Sequence, residues 1–132
     1  MKALVAILTL AIVLLASCGQ GSTKVTATME EWKIQLSQTT VPAGDVTFSV
    51  QNKGKEEHEL VLLKTDLAPD KLTPRKTDPA KAEEPGSIGE IEDIAAGTTK
   101  DATFRLTPGN YVLICNYAAH YANGMWIALT VR

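Results

Sequence analysis

The chain has 132 residues, 45% hydrophobic and 21% charged, with a formal net charge of −2. That is the size of one domain around one core, and no basic cluster supports nucleic-acid binding. With only two cysteines and two histidines, any thiol or imidazole chemistry must come from very few side chains.

The N-terminus reads as a targeting signal. Lys2 gives the positive start, Ala3 to Leu15 is an apolar run too short to span a membrane, and Leu15-Ala16-Ser17 precedes Cys18. The tetrad LASC resembles the lipobox of bacterial lipoproteins. That resemblance implies that residues 1–17 are removed as a signal peptide, and that Cys18 is acylated and becomes the new N-terminus. Several acyl chains on one residue make a lasting membrane anchor. The protein is then expected outside the cytoplasm, in the periplasm or at the cell surface, with residues 18–24 as a small, polar tether. Cys115 would be the only thiol left in an exported protein, unable to close an internal disulfide. It is therefore a ligand, a reactive group, an intermolecular partner or a buried apolar filler.

Strand signals begin at Val25. The segment 25–38 is rich in Thr, Val and Ile, with Met29, Trp32, Ile34 and Leu36 as apolar positions, and Pro42-Ala43-Gly44 marks a turn. Asp45 to Asn52 alternates, with Val46, Phe48 and Val50 on one face. Asn52-Lys53-Gly54-Lys55 is a further turn, and His58 to Leu63 is a largely apolar strand. Between Lys64 and Gly97 the composition shifts, because four of the six prolines lie between Ala68 and Gly86 amid many charges. This predicts a long, solvated loop insertion with at most a short helix over 79–84, N-capped by Asp78 with Pro79 as first helical residue. Strands return over 88–94 and 98–106, then at 111–115 after the turn Thr107-Pro108-Gly109-Asn110, and last at 124–132. Seven or eight short strands with regular turns predict an all-β antiparallel sandwich over residues 25–132.

The stretch YVLICNYAAHYANGMW, Tyr111 to Trp126, places Cys115, His120 and Met125 at equal five-residue steps. On a helix, five residues turn through about 500°, which sets successive positions roughly 140° apart and off any common face. A strand ending at Cys115 and a tight loop through Ala118, Ala119, Asn123 and Gly124 can instead gather all three. Thiolate, imidazole and thioether suit copper best, and His58 is the only other imidazole. Zinc gains little from a thioether. A binuclear copper centre of the respiratory-oxidase type needs a second loop cysteine. Nucleophilic catalysis by Cys115 needs an orienting group and an oxyanion pocket, and nothing in the sequence marks either.

The spacing Cys115-x4-His120-x4-Met125, followed by a strand ending Leu129-Thr130-Val131, resembles the ligand loop of cupredoxins, the small blue copper proteins. So does Asn52-x-Gly54-x3-His58 upstream, and the loop length is most similar to the rusticyanin and sulfocyanin type. The resemblance implies a Greek-key sandwich binding one copper ion, Cu(I) or Cu(II). His58, Cys115 and His120 would be equatorial ligands and Met125 the weak axial one. It implies a one-electron carrier rather than an enzyme: a monomer whose partners are redox proteins, as donor and acceptor. Tyr117, Ala118, Ala119 and Tyr121 surround His120 without charge and form the expected electron-transfer patch, provided the imidazole edge reaches the surface. Many cupredoxins carry asparagine or serine after the first histidine to tie the ligand loops together, and here that residue is Glu59. Alternation points Glu59 away from the metal, leaving the surroundings looser or built differently, with Asn116 supplying part of the bridge. A carboxylate that approached the copper would instead make a red site. The alternatives are a copper carrier or chaperone that delivers the ion to an apo-enzyme, and a metal-free scaffold module.

Overall fold

The computed structural model describes residues 21–117 and 119–132, so the expected signal peptide, the lipidation site Cys18 and patch residue Ala118 lie outside the described residues. Eleven strands follow in order, rather than the seven or eight expected. They are β1 (Thr23–Glu30), β2 (Lys33–Leu36), β3 (Thr40–Val41), β4 (Gly44–Asn52), β5 (His58–Lys64) and β6 (Pro74–Arg75). After these come β7 (Asp78–Ala82), β8 (Ser87–Ile94), β9 (Thr99–Leu106), β10 (Gly109–Ile114) and β11 (Trp126–Val131). Short 3-10 turns lie at Pro69–Lys71 and Tyr121–Asn123. Among the described residues no helix is long and apolar enough to cross a membrane.

Period-two alternation builds the first sheet, ordered β2-β1-β4-β9. Val25, Ala27 and Met29 of β1 and Val46, Phe48 and Val50 of β4 are buried, and every second neighbour along β1 turns outward. The second sheet is ordered β3-β11-β10-β5-β8 and packs its inner face on the first. Most neighbours are antiparallel as expected, but β1 runs parallel to β4 and β3 parallel to β11, so both sheets are mixed. The first expected strand segment, 25–38, is split into the hairpin of β1 and β2, and the short β3 that follows it joins the opposite sheet.

β5 and β10 are buried on both faces, which explains their unbroken apolar runs. Leu60, Leu62, Tyr111 and Leu113 enter the main core between the sheets. Val61, Leu63, Val112 and Ile114 face the other way, into a second cluster with Leu72 and Ala82. The proline-rich excursion is therefore the cover of that outer face. At about 1.5–3 kcal/mol per fully buried large aliphatic side chain, this second cluster is a substantial part of the fold.

The helix expected over 79–84 is a strand instead. Asp78 spends its carboxylate on Ala80 N (3.2 Å) at the start of β7, which pairs antiparallel with β6. The buried edge of Ala82 is closed from outside: its N–H donates to Asn116 Oδ1 and its carbonyl accepts from Asn116 Nδ2, each at 2.9 Å. A tertiary partner that completes the strand overrides a local helix-start signal.

Candidate metal centre

His58 is the first residue of β5, and Cys115 follows the last residue of β10. Because Ile114 pairs with Val61, the antiparallel ladder delivers both side chains to the same end of the sandwich. The turn before His58 is held by Asn52, whose Nδ2 donates to Glu56 O and Ile94 O, both at 2.7 Å, and whose Oδ1 accepts from Gly54 N at 2.9 Å. After Cys115 the chain bends so that His120 N donates to Tyr117 O (2.7 Å), with Ala119 in the left-handed region at φ 67°. Gly124, at φ 101°, reverses the chain where a side chain would be strained. Met125 then sits between the other loop ligands: its N donates to His120 O (3.1 Å) and its O accepts from Cys115 N (3.0 Å).

The three expected equatorial donors meet. Cys115 Sγ lies 3.1 Å from His120 Nδ1 and 3.7 Å from His58 Nδ1, and the two Nδ1 atoms are 3.2 Å apart. An ion bonded at about 2 Å to each nitrogen, and slightly farther from sulfur, would separate trigonal donors by about 3.5 Å. The triangle fits that size. All three residues are buried, and Met125 is buried with them. His58 Nε2 is a buried nitrogen with no hydrogen-bond partner; Glu31 Oε1 lies 3.4 Å away, at ion-pair range but outside hydrogen-bond alignment.

A family model described as a cupredoxin-like domain matches residues 3–128. The chain belongs to the cupredoxin-like family. No curated protein matches it. Among solved structures it is similar to the dithionite-reduced auracyanin of Roseiflexus castenholzii, with 27% identity over 84% of this chain and 98% of that one, at a TM-score of 0.63. It is also similar to rusticyanin from Thiobacillus ferrooxidans (15% identity, 85% and 79% covered, TM-score 0.66). A third is an azurin from Methylomonas sp. strain J (18% identity, 85% and 99% covered, TM-score 0.57). The last two likenesses are of fold alone. In this cupredoxin, His58, Cys115, His120 and Met125 are arranged as a type 1 copper site.

The electrostatics keep the donor set uncharged in the absence of a metal. Burial pushes the Cys115 thiol up to about 11, so it stays protonated until a metal replaces the proton. Burial, helped by the neighbouring His120, pulls His58 below its ordinary value and keeps it a neutral ligand. Glu59 N donates to Cys115 Sγ (3.4 Å), a contact that steadies a thiolate.

Glu59 does what alternation predicts with its side chain and more. Its carboxylate turns toward Glu90 and Glu92, in a cluster separate from the copper donors, and accepts from Asn116 N at 3.1 Å. The two ligand segments are thus tied by Glu59 itself, so the surroundings are built differently but are not loose. Burial raises this carboxyl to about 7, with the nearby Glu90 and Glu84 adding to the effect. The Asn116 side chain bridges elsewhere, to Ala82 and to Glu84 Oε1, and Glu84 in turn pairs with Arg75 (3.1 Å). That amide buttons the excursion onto the residue after Cys115.

The expected patch around His120 is only partly assembled. Tyr117 OH is engaged with Asp93 (3.2 Å), whereas Tyr121 OH accepts from Leu72 N and donates to Pro69 O, both at 3.0 Å, on the opposite flank. Ala119 is half-buried. The imidazole edge does not reach solvent: His120 is 3% exposed. It is covered by Trp32, edge-on at 5.0 Å and 40% exposed, and by Glu56, whose Oε2 is 3.1 Å from His120 Nε2. Trp32, Glu31 and Glu56 were not among the residues expected at the site. The available signal was a change of phase, since the apolar positions run 25, 27, 29 and then 32, 34, 36. That slip marks a turn and puts Trp32 at its tip.

Proposed function

We propose that this cupredoxin is a mononuclear copper protein that carries single electrons between larger redox proteins outside the cytoplasmic membrane. A lipid on Cys18 would hold it there as a monomer. The observation that carries the reading is the closed triangle of His58 Nδ1, Cys115 Sγ and His120 Nδ1 with Met125 buried beside it. It is supported by a rusticyanin described as a copper protein and by an auracyanin solved in its reduced form.

A copper ion bound there supplies a Cu(II)/Cu(I) couple. The protein's own part is to keep the donors still. Cys115 gives a thiolate, His58 and His120 give neutral imidazoles, and Met125 a weak thioether, a set that suits both oxidation states. The backbone bonds that bracket Met125 between Cys115 and His120 fix the loop, so little has to move when an electron arrives. Water is kept off by the Tyr117 ring on one side of His120 and by the Trp32 ring over it. Trp32 is the exposed aromatic in edge contact with a ligand, which makes it the port through which a docked partner exchanges electrons. The same closure argues for retention of copper rather than its hand-over.

The test is repeated cycling of the copper-loaded protein with one-electron reductant and oxidant in the presence of a Cu(I) chelator. An electron carrier returns to its starting spectrum with copper still bound. Loss of copper to the chelator on the first reduction would instead favour delivery. For the anchor, Cys18→Ala is expected to move the protein from the membrane to the soluble fraction, and unchanged partitioning would overturn that part.

A further inference from the structure

Both imidazoles carry a carboxylate on the side away from the thiol. Glu56 Oε2 is 3.1 Å from His120 Nε2, and Glu31 Oε1 is 3.4 Å from His58 Nε2. The Glu31 carboxylate is not placed by chance of rotamer alone. Glu31 Oε1 also accepts from Lys55 N (2.7 Å) and Glu56 N (2.8 Å), so two main-chain donors pin it. Gly54 leaves the room for it: a Cβ built on Gly54 would collide with the Glu31 carboxylate. The glycine sits at a position that does not need a left-handed backbone, since its φ lies outside that region. Its missing side chain therefore serves the carboxylate rather than the turn.

We infer that Glu31 and Glu56 are positioning residues of the copper site, a pair of outer carboxylates that lower the reduction potential, Glu56 through a hydrogen bond that also orients the His120 ring and Glu31 through its charge behind His58. The inference rests on the copper reading above and deepens it. The physical chain is short. At His120 the Glu56 acceptor at Nε2 selects the tautomer with its proton on Nε2, which leaves the Nδ1 lone pair facing the thiol, whereas Glu31, outside hydrogen-bond alignment, acts on His58 through its charge. A negative charge behind each ring also favours the state with the higher positive charge in front of it. Copper held by these donors would supply a Cu(II)/Cu(I) couple, with the electron coming from the donor protein and Cu(II) on the left side of the step. The carboxylates stabilise the left side of that step more than the right. They oppose the apolar surroundings, which favour Cu(I). Glu31, 23% exposed and held by main-chain donors, acts at every ionic strength, whereas Glu56, 54% exposed, is screened by salt.

The test uses Glu31→Gln and Glu56→Gln in the full chain. Glutamine keeps an oxygen for Lys55 N and Glu56 N, so the turn is retained. Both copper-loaded variants should keep the thiolate-to-copper band. At a fixed solution potential the ratio of Cu(II) to Cu(I) should fall about threefold in each, the scale of a single partly exposed charge interaction. The Glu56→Gln shift should fade in high salt and the Glu31→Gln shift should not. Gly54→Ala, which displaces Glu31 without removing charge from the protein, should move the ratio in the same direction as Glu31→Gln. A readout free of copper comes from nitrogen-15 spectra of the histidines in the metal-free protein. The His120 ring should carry its proton on Nε2, and its Nε2–H signal should shift in Glu56→Gln. Ratios equal to wild type in both glutamine variants, or a proton on Nδ1 of His120, would overturn the inference. Absence of the thiolate band in the wild-type protein would sink the copper reading instead, and the His120 tautomer would then decide the role of Glu56 alone.

Discussion

Two apolar clusters share β5 and β10, and they do different jobs for the metal centre. The inner one, between the sheets, takes the residues of one parity, Leu60, Leu62, Tyr111 and Leu113, and ends in Cys115 and Met125. The outer one takes the other parity, Val61, Leu63, Val112 and Ile114, and is roofed by the excursion carrying Leu72 and Ala82. Donor atoms are set by the inner cluster, where strand meets strand. The course of the chain leaving Cys115 is set by the outer one, through Asn116 and its bonds to Ala82 and Glu84. A ligand loop held from both faces of one sheet can be short and still rigid.

The largest effect belongs to the inner donor itself. Cys115→Ser is expected to abolish the thiolate-to-copper band and to weaken copper binding by more than about 100-fold, beyond what loss of an outer partner costs. Copper titration followed by visible absorption measures both. Leu62 and Leu63 allow the two clusters to be compared with one chemistry, since both are fully buried and point to opposite faces. Leu62→Ala should cost about 2–5 kcal/mol in denaturant unfolding. Leu63→Ala should cost less, about 2 kcal/mol, because a one-layer roof can settle into the gap. Equal losses would mean that the outer cluster is packed as tightly as the core.

Asn116→Ala removes the amide that buttons the roof to the loop and leaves the N–H and C=O of the buried Ala82 without partners. The expected cost is about 1–3 kcal/mol, with a measurable change in the copper spectrum, whereas Leu63→Ala should leave the spectrum unchanged. Glu59 gives the smallest and most conditional effect. Its folded-state value of about 7 lies above the ordinary 4.5, so the folded protein binds this proton more tightly than the unfolded chain does. Stability is therefore highest below pH 4.5 as far as this group is concerned, falls as the pH rises toward 7, and is level above it. Glu59→Gln should remove that decline, which is on the order of 2 kcal/mol, when unfolding of the metal-free protein is followed from pH 5 to 8. A decline of the same size in the variant would assign it to another group.

Much of this was legible in the sequence, and for identifiable reasons. Thiol and imidazole are scarce here, so Cys115, His58 and His120 had few alternative roles, and Met125 continued their spacing. Strands β4 and β9 alternate cleanly because each is wetted on one face. Illegible parts depend on partners distant in the chain. The Asp78-Pro79 start signal describes a helix until Asn116, 34 residues from Ala82, completes the edge of a strand. Trp32 belongs to the site only because the β1–β2 turn folds over the ligand loop, and nothing local to Trp32 says so. The direction of Glu59 followed from alternation. Its bond to Asn116 N did not, because a buried carboxylate is placed by the strands around it, β8 above all.

The central claim is that four side chains separated by up to 67 positions, His58 to Met125, enclose one copper ion. A crystal structure of the copper-loaded protein, with anomalous scattering measured across the copper absorption edge, tests it most directly. The account predicts a single copper peak inside the triangle of His58 Nδ1, Cys115 Sγ and His120 Nδ1, with the Met125 sulfur at longer range. A copper peak on the Glu59, Glu90 and Glu92 carboxylates, or a triangle that stays empty when copper is bound, would contradict it.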